Sequence, residues 1–184
     1  MGTVIYSIGV SLDGFIAGPD GEIDWTEPDE ELFRFHIDQT RELAAHLCGR
    51  RLYETMLVWE TAPDSQWDPA ELEFARIWRA LPKVVFSSTL ERVEGNARLA
   101  TDDLATEITK LKEQSDGPVA VGGAGLAATL VELDLIDDYR LFVYPVVLGG
   151  GTPYFPARAG RINLELMETR TFGGRVVHLR YRRP

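Results

Sequence analysis

The chain has 184 residues, 45% of them hydrophobic, and a formal net charge of -10 at pH 7. That length and composition supply one substantial core and demand no second domain, while the charge argues against a nucleic-acid backbone or an anionic membrane as the main partner, because like charges repel at long range. Cys48 is the only cysteine, which excludes an internal disulfide and a cysteine-based metal cluster and fits a reducing, cytoplasmic setting.

No apolar run approaches the roughly 18 to 20 residues that span a bilayer, and the opening MGTVIYSIGV lacks a basic leader region, so no targeting or membrane segment is expected. Met-Gly at the start superficially resembles a myristoylation signal, but Tyr6 stands where Ser or Thr is wanted.

Residues 4–10 are apolar and β-branched and read as an interior strand; they run into SLDGFIAGPDGEIDW, where Asp13-Gly14 and Pro19-Asp20-Gly21 are turn signals. Thr26-Glu27-Pro28 then opens a predicted helix whose first turn carries Asp29, Glu30 and Glu31, suited to the positive end of the helix dipole; Phe33, Ile37, Ala44 and Leu47 share its inward face. A short strand over 47–49 and a helix start over 50–56 follow. Asp68-Pro69-Ala70-Glu71 has the form of a capping box with Pro at the first helical position, and Phe74, Ile77, Trp78 and Leu81 make the stripe behind it. Strands are expected over 83–88 and 97–100, and a helix over 102–114 that Ser115-Asp116-Gly117-Pro118 breaks.

Val119, Ala120 and Val121 read as a buried strand, Gly122 and Gly123 remove Cβ atoms at its end, and Leu126, Leu130 and Leu133 recur at helical spacing. A helix opening there presents unpaired N–H groups to an anion such as phosphate; the same glycines also suit a merely tight connection. The apolar strand over 141–148 ends in Gly149-Gly150-Gly151. Residues 164–171 and 175–182 flank Gly173-Gly174 as a closing hairpin. Alternating strands and helices followed by a hairpin predict an α/β fold: a mostly parallel central sheet flanked by helices on both faces, with a C-terminal antiparallel hairpin.

Four separated pieces, residues 11–17, Gly49-Arg50, Ser87-Ser88-Thr89 and residues 122–125, are turns at strand ends with small, hydroxyl or basic side chains. In an open α/β sheet such ends converge on one crevice. Arg50 there is either a phosphate ligand or a solvated helix charge, and Ser87 to Thr89 either ligands or a strand terminus.

With SLDGFIA, CGRRLYE, FSSTL, VGGAG and YPVVLGGGTPYF in this order, the chain resembles the dihydrofolate reductase superfamily and, more closely, its riboflavin-biosynthesis reductase branch, over nearly its whole length. The resemblance implies a single reductase domain that binds NADPH and passes hydride to a pyrimidine- or pteridine-like substrate. It implies that Gly122, Gly123, Ala124, Gly125 and Leu126 cradle the pyrophosphate, the Gly-Gly bond often being cis. Gly49 and Arg50 would approach the phosphates from the other side, Ser87, Ser88 and Thr89 the adenosine 2′-phosphate, and Ile16 and Ala17 the nicotinamide.

By the same resemblance Asp13 matches the aspartate of the S-x-D-G motif and either positions substrate or supplies a proton through water; the alternative is a plain Asp-Gly turn. Asp24, Trp25, Tyr144 and Val147 are expected on the substrate side, with Tyr144 to Leu148 alternatively packing across a homodimer interface. Two departures stand out. Leu52 replaces a Thr that reaches the cofactor, and Val121 replaces a Glu before the paired glycines, removing a polar substrate contact. His36, His46 and His178 lack paired metal-ligand spacing, so no metal is expected. Neither G-x-S-x-G nor G-x-G-x-x-G occurs. A non-catalytic dinucleotide-binding module is the competing reading.

Overall fold

The structure, a computed structural model, describes residues 2–114, 117–157 and 160–184. In chain order the elements are β1 (Val4–Ser11), β2 (Phe15–Ala17), α1 (Glu30–Arg41), β3 (Ala45–Gly49), α2 (Arg50–Thr61), α3 (Pro69–Ala80), β4 (Lys83–Phe86), β5 (Ala97–Leu99), α4 (Leu104–Gln114), β6 (Val119–Gly122), α5 (Ala124–Glu132), β7 (Asp138–Tyr144), β8 (Thr152–Pro153), β9 (Glu165–Phe172) and β10 (Val176–Arg182). Ser115 and Asp116, expected to break the helix before β6, lie outside the described residues.

Eight strands form one sheet in the order β5-β4-β3-β6-β1-β7-β10-β9, and β2 pairs with β8 separately. All pairings from β5 to β7 are parallel, and those of β10 with β7 and β9 are antiparallel. The expected α/β architecture is therefore present, with the hairpin at one edge. Gly173 and Gly174 turn it at φ of 55° and 64°, the left-handed pair that matches strand twist in a tight hairpin.

Period-2 alternation assigns the two faces. Val4, Tyr6, Leu47, Val121 and Tyr139 pack with Ile108 of α4 and Leu130 of α5 on one face. Cys48 and Val85 pack with Ile37 of α1, Tyr53 of α2 and Trp78 of α3 on the other, where Phe142 and Tyr144 also meet Leu32 of α1.

Some boundaries differ from expectation. The helix does not open at residues 26–28: Asp24–Thr26 forms a separate 3-10 turn. Glu27 is extended, as the residue before a proline prefers, and Asp29 caps α1 by accepting from Leu32 N–H at 2.9 Å. α1 ends at Arg41, so Ala44 and Leu47 are not on its face; Leu47 is a core residue of β3. β7 spans Asp138–Tyr144 rather than 141–148. Its charged first half masked the strand pattern, and Pro145 has no N–H with which to extend the ladder. The Asp68 capping box forms as expected, its carboxylate accepting from Ala70 and Glu71 N–H at 2.8 Å and Glu71 accepting from Asp68 N–H at 2.9 Å.

Candidate functional site

Because β4, β3, β6, β1 and β7 run parallel, their C-terminal ends share one edge of the sheet, and that edge is where ligands bind in open α/β sheets. The strand-end pieces singled out in the sequence are gathered there. Cys48 and Gly122 are register partners, so the turns that follow them are neighbours.

The closest approach is backbone to backbone. A Cβ placed on Gly123 would lie 3.4 Å from both Cα and N of Gly49, and Gly123 has φ +101°, a conformation that disfavours any side chain. A Cβ on Gly122 would collide with Leu52 Cδ2 and lie 2.8 Å from His46 Cε1. Gly123 caps α5 without a side-chain hydrogen bond, and the first intrahelical donor is Ala127 N–H, to Gly123 O at 2.9 Å. The N–H groups of Ala124, Gly125 and Leu126 are thus the free first-turn donors of a helix, which favour an anion. Ala124 and Leu126 direct their side chains into the core, and a Cβ on Gly125 would meet nothing within 4 Å. No peptide bond among the described residues is cis, which corrects the cis Gly-Gly bond that the resemblance implies: the turn is made instead by the positive φ of Gly123.

Arg50 follows directly. Its Nη1 donates to Thr89 Oγ1 at 2.8 Å and its Nε to Glu54 Oε1 at 2.8 Å. Ser87 Oγ accepts from Thr89 N–H at 3.2 Å and Leu90 N–H at 3.0 Å, fixing the turn after β4; Ser88 and Thr89 are exposed. One guanidinium therefore joins the start of α2 to the β4 turn, leaving a cation and hydroxyls at the surface beside the glycines, a set that suits a phosphate.

On the other flank, the Asp13 carboxylate accepts from Ser11 Oγ at 2.7 Å, Leu148 N–H at 3.1 Å and Gly149 N–H at 2.7 Å. The Ser11 bond, with the two N–H groups, holds its pKa below the usual value. An ionised carboxylate so engaged ties the β1–β2 loop to the glycine-rich loop after β7, and the geometry favours positioning over proton donation. Ile16 is 5% exposed and belongs to the core, whereas Ala17 pairs with Thr152. Asp24 and Trp25 border a hollow shared with Asp29 and Arg175. Tyr144 is buried, donates its hydroxyl to Thr26 O at 2.9 Å and meets Trp25 edge-on at 5.7 Å; it supports Trp25 from beneath rather than presenting an open surface. Val147 is 66% exposed.

Asp138 and Arg140 of β7 are not among the residues that the sequence motifs single out. Asp138 is fully buried and receives hydrogen bonds from Arg140 Nε at 3.1 Å, Arg180 Nη2 at 2.7 Å and Arg182 Nε at 3.1 Å. Burial alone would raise its pKa, but the arginines lower it on balance. The available signal was the pair of charges two residues apart at the start of an apolar run, which places both on one face of a central strand. Among the described residues no three metal-ligating side chains come together, and no helix is long and apolar enough to cross a membrane.

Comparison with known proteins agrees with this architecture. The uncharacterised protein YyaP of Bacillus subtilis (strain 168) is 34% identical over 180 residues, covering 97% of this chain and 93% of its own length, and YwjB of the same organism is 31% identical over 181 residues, covering 97% and 96%. Among solved structures, a candidate riboflavin biosynthesis protein from Shewanella sp. PV-4 superposes with TM-score 0.79 at 21% identity, covering 100% of this chain and 99% of that one. The diaminohydroxyphosphoribosylaminopyrimidine deaminase/5-amino-6-(5-phosphoribosylamino)uracil reductase of Thermotoga maritima superposes with TM-score 0.67 at 15% identity, covering 100% of this chain and 57% of that longer one. The model of the RibD C-terminal domain matches residues 2–178. On that near-complete match, the chain belongs to the RibD C-terminal domain family.

Proposed function

We propose that this protein is an NADPH-dependent reductase that transfers hydride to a pyrimidine- or pteridine-like substrate, of the kind named for the Thermotoga maritima reductase. The observation that carries this reading is the continuity of one edge: the uncapped start of α5 lies against Gly49, and Arg50, the next residue, reaches Thr89. A dinucleotide phosphate needs both an amide-lined place for its pyrophosphate and a cation with hydroxyls for its 2′-phosphate.

When bound, NADPH supplies the hydride. The chain's part is to hold and orient. N–H groups of Ala124, Gly125 and Leu126 would take the pyrophosphate; Arg50, Ser87, Ser88 and Thr89 would take the 2′-phosphate; Ile16 and Ala17 would border the nicotinamide. Asp13 fixes the two loops that flank the crevice, and Trp25, backed by Tyr144, borders the substrate side. Holding two rings at reacting distance and excluding water accounts for a site short of nucleophiles.

The test is the initial rate of NADPH oxidation against a panel of aminouracil, pteridine and flavin acceptors. Turnover with an aminouracil or pteridine above the acceptor-free rate is expected; NADPH binding without turnover across the panel would favour a non-catalytic binding module. We also propose a homodimer, with no nucleic-acid or membrane partner. Leu166 and Val177 on the β9–β10 hairpin are 56% and 37% exposed, apolar area of a kind that a second copy would cover. A single-protomer mass in sedimentation at micromolar concentration would contradict it.

A further inference from the structure

The two edges of the eight-stranded sheet are unlike. β5 at one edge is three residues long, whereas β9 at the other is eight, Glu165–Phe172. A short edge strand gives another chain little to pair with, and a long one presents a row of backbone N–H and C=O groups that a further strand can take up. β9 contains neither Pro nor Lys, the residues that block such pairing. Met167, Thr169, Arg170 and Thr171 along it are exposed. One irregularity bounds the regular stretch: Glu168 faces Arg180 and Leu166 faces Tyr181, so Met167 is the extra residue of a bulge.

The charges on this edge are complementary to themselves. Glu168 and Arg170 are two residues apart and share one face, the face of α1, because Arg170 Nη2 donates to Glu31 Oε1 at 2.9 Å. Arg170 also lies over the rings of Phe35 and Phe172, at 5.2 and 4.5 Å, so it is already oriented at the edge and little ordering remains to be paid on association. Two copies of β9 that pair antiparallel about a two-fold axis perpendicular to the sheet align residues of the same face, so the axis passes through a residue. An axis at Glu168 or at Arg170 sets that charge against its own copy, which is destabilising. An axis at Thr171 runs the pairing into the Gly173-Gly174 turn. An axis at Thr169 sets Glu168 opposite Arg170 twice and Met167 opposite Thr171. Thr171 in turn faces Val177 of β10, so Met167 and Val177, 48% and 37% exposed, fall into one row.

We propose that a second copy of the chain docks on this edge, β9 pairing antiparallel with its counterpart about an axis through Thr169, so that one continuous sheet runs through both protomers. This rests on the homodimer reading above and gives it a surface and a register. The same axis makes the strands of the second copy run the opposite way. The two glycine-lined edges therefore face in opposite directions and neither is covered, so association and NADPH binding are separable.

Cysteine substitution reads the register directly, because Cys48 is 0% exposed and gives no background. Across the axis the two Thr169 Cα atoms would lie about 4.5 to 5.5 Å apart, within disulfide reach. The two Thr171 Cα atoms would be four strand residues apart, roughly 14 Å, and beyond it. Under mild oxidation at micromolar concentration, Thr169→Cys should run as a covalent dimer on a non-reducing gel and Thr171→Cys as a monomer. In sedimentation equilibrium the wild type should be a dimer. Glu168→Arg, which sets arginines against each other, should weaken association roughly tenfold, and combining it with Arg170→Glu should restore association to within about threefold. NADPH affinity, read by nucleotide fluorescence, should be the same in wild type and Glu168→Arg.

A dimer in which Thr169→Cys fails to cross-link, or cross-links no better than Thr171→Cys, overturns this register and leaves the homodimer reading standing. Association unchanged in Glu168→Arg, or NADPH affinity lost in the folded variant, overturns it as well. A wild-type monomer removes both the register and the homodimer, whereas a wild-type dimer that does not bind NADPH removes only the reductase reading. Should a charge variant fail to fold, the two cysteine variants decide, since each alters a single exposed threonine.

Discussion

The two ends of the same parallel strands are built on opposite principles. At their C-terminal ends the backbone is bare: Gly49, Gly122 and Gly123 bring main chains together, and side chains at the surface are a guanidinium and hydroxyls. At their N-terminal ends charges are buried and paired. Lys83, the first residue of β4, is 2% exposed; its Nζ donates to Trp78 O at 2.6 Å and Leu81 O at 2.9 Å and pairs with Glu60 at 2.7 Å. Asp138, the first residue of β7, holds its arginines, and Asp137 accepts from Val4 N–H and Lys112 Nζ. One end leaves backbone N–H groups and a cation at the surface and the other locks the sheet, so on the proposed function substitutions at the two ends should separate binding from stability.

The largest effect is expected at the locked end. Lys83→Met strands Glu60, whose side chain is 7% exposed, and breaking a buried pair by removing one partner costs about 3 to 5 kcal/mol. Urea unfolding at pH 7 should show that loss while NADPH affinity of the remaining folded protein is unchanged. Unchanged stability would mean that this end is not the lock.

Between the ends sits a pH-sensitive middle. Burial pushes His36 and His46 down to about 4, below the value of about 6.5 expected unfolded. The unfolded chain therefore binds more protons, and stability that is full above pH 6.5 declines as the pH falls towards 4. Each histidine should contribute about 2 kcal/mol of loss between pH 7 and 5. Urea midpoints at the two pH values measure it, and His36→Phe should remove its own share, about 2 kcal/mol, of that loss.

At the open end the effect on stability is smaller and that on binding larger. Gly123→Ala forces a side chain to φ +101° with its Cβ against Gly49, a cost of about 1 to 3 kcal/mol, and should weaken NADPH at least tenfold by parting the two turns. Equal loss of NADPH affinity in Lys83→Met and Gly123→Ala would erase the distinction between the ends.

This asymmetry was half legible in the sequence. Glycines and hydroxyls at strand ends are local signals, so Gly49, Arg50, Ser87 to Thr89 and residues 122–126 stand out in the sequence, as does the capping box at Asp68. The locks do not. Lys83 and Glu60 are 23 residues apart and Asp138 meets Arg180 across 42; a pattern of charges does not say which are buried together. Tyr144 misled for a related reason: its position at a strand end is local, but its hydroxyl bond to Thr26 is made across 118 residues. The start of α1 was misplaced because the acidic run 29–31 supports a helix start at several positions, and only the Asp29 side-chain bond to Leu32 N–H selects one.

The central claim is that the open edge grips a nucleotide through its 2′-phosphate, and its most direct test is equilibrium titration of wild type and Arg50→Ala with NADPH and NADH, read by nucleotide fluorescence. A hydrogen bond to a charged group is worth about 1.5 to 3 kcal/mol, so wild type should prefer NADPH by roughly ten- to a hundredfold and Arg50→Ala should lose most of that preference. Equal affinity of wild type for both nucleotides, or a preference that survives Arg50→Ala intact, would contradict the account.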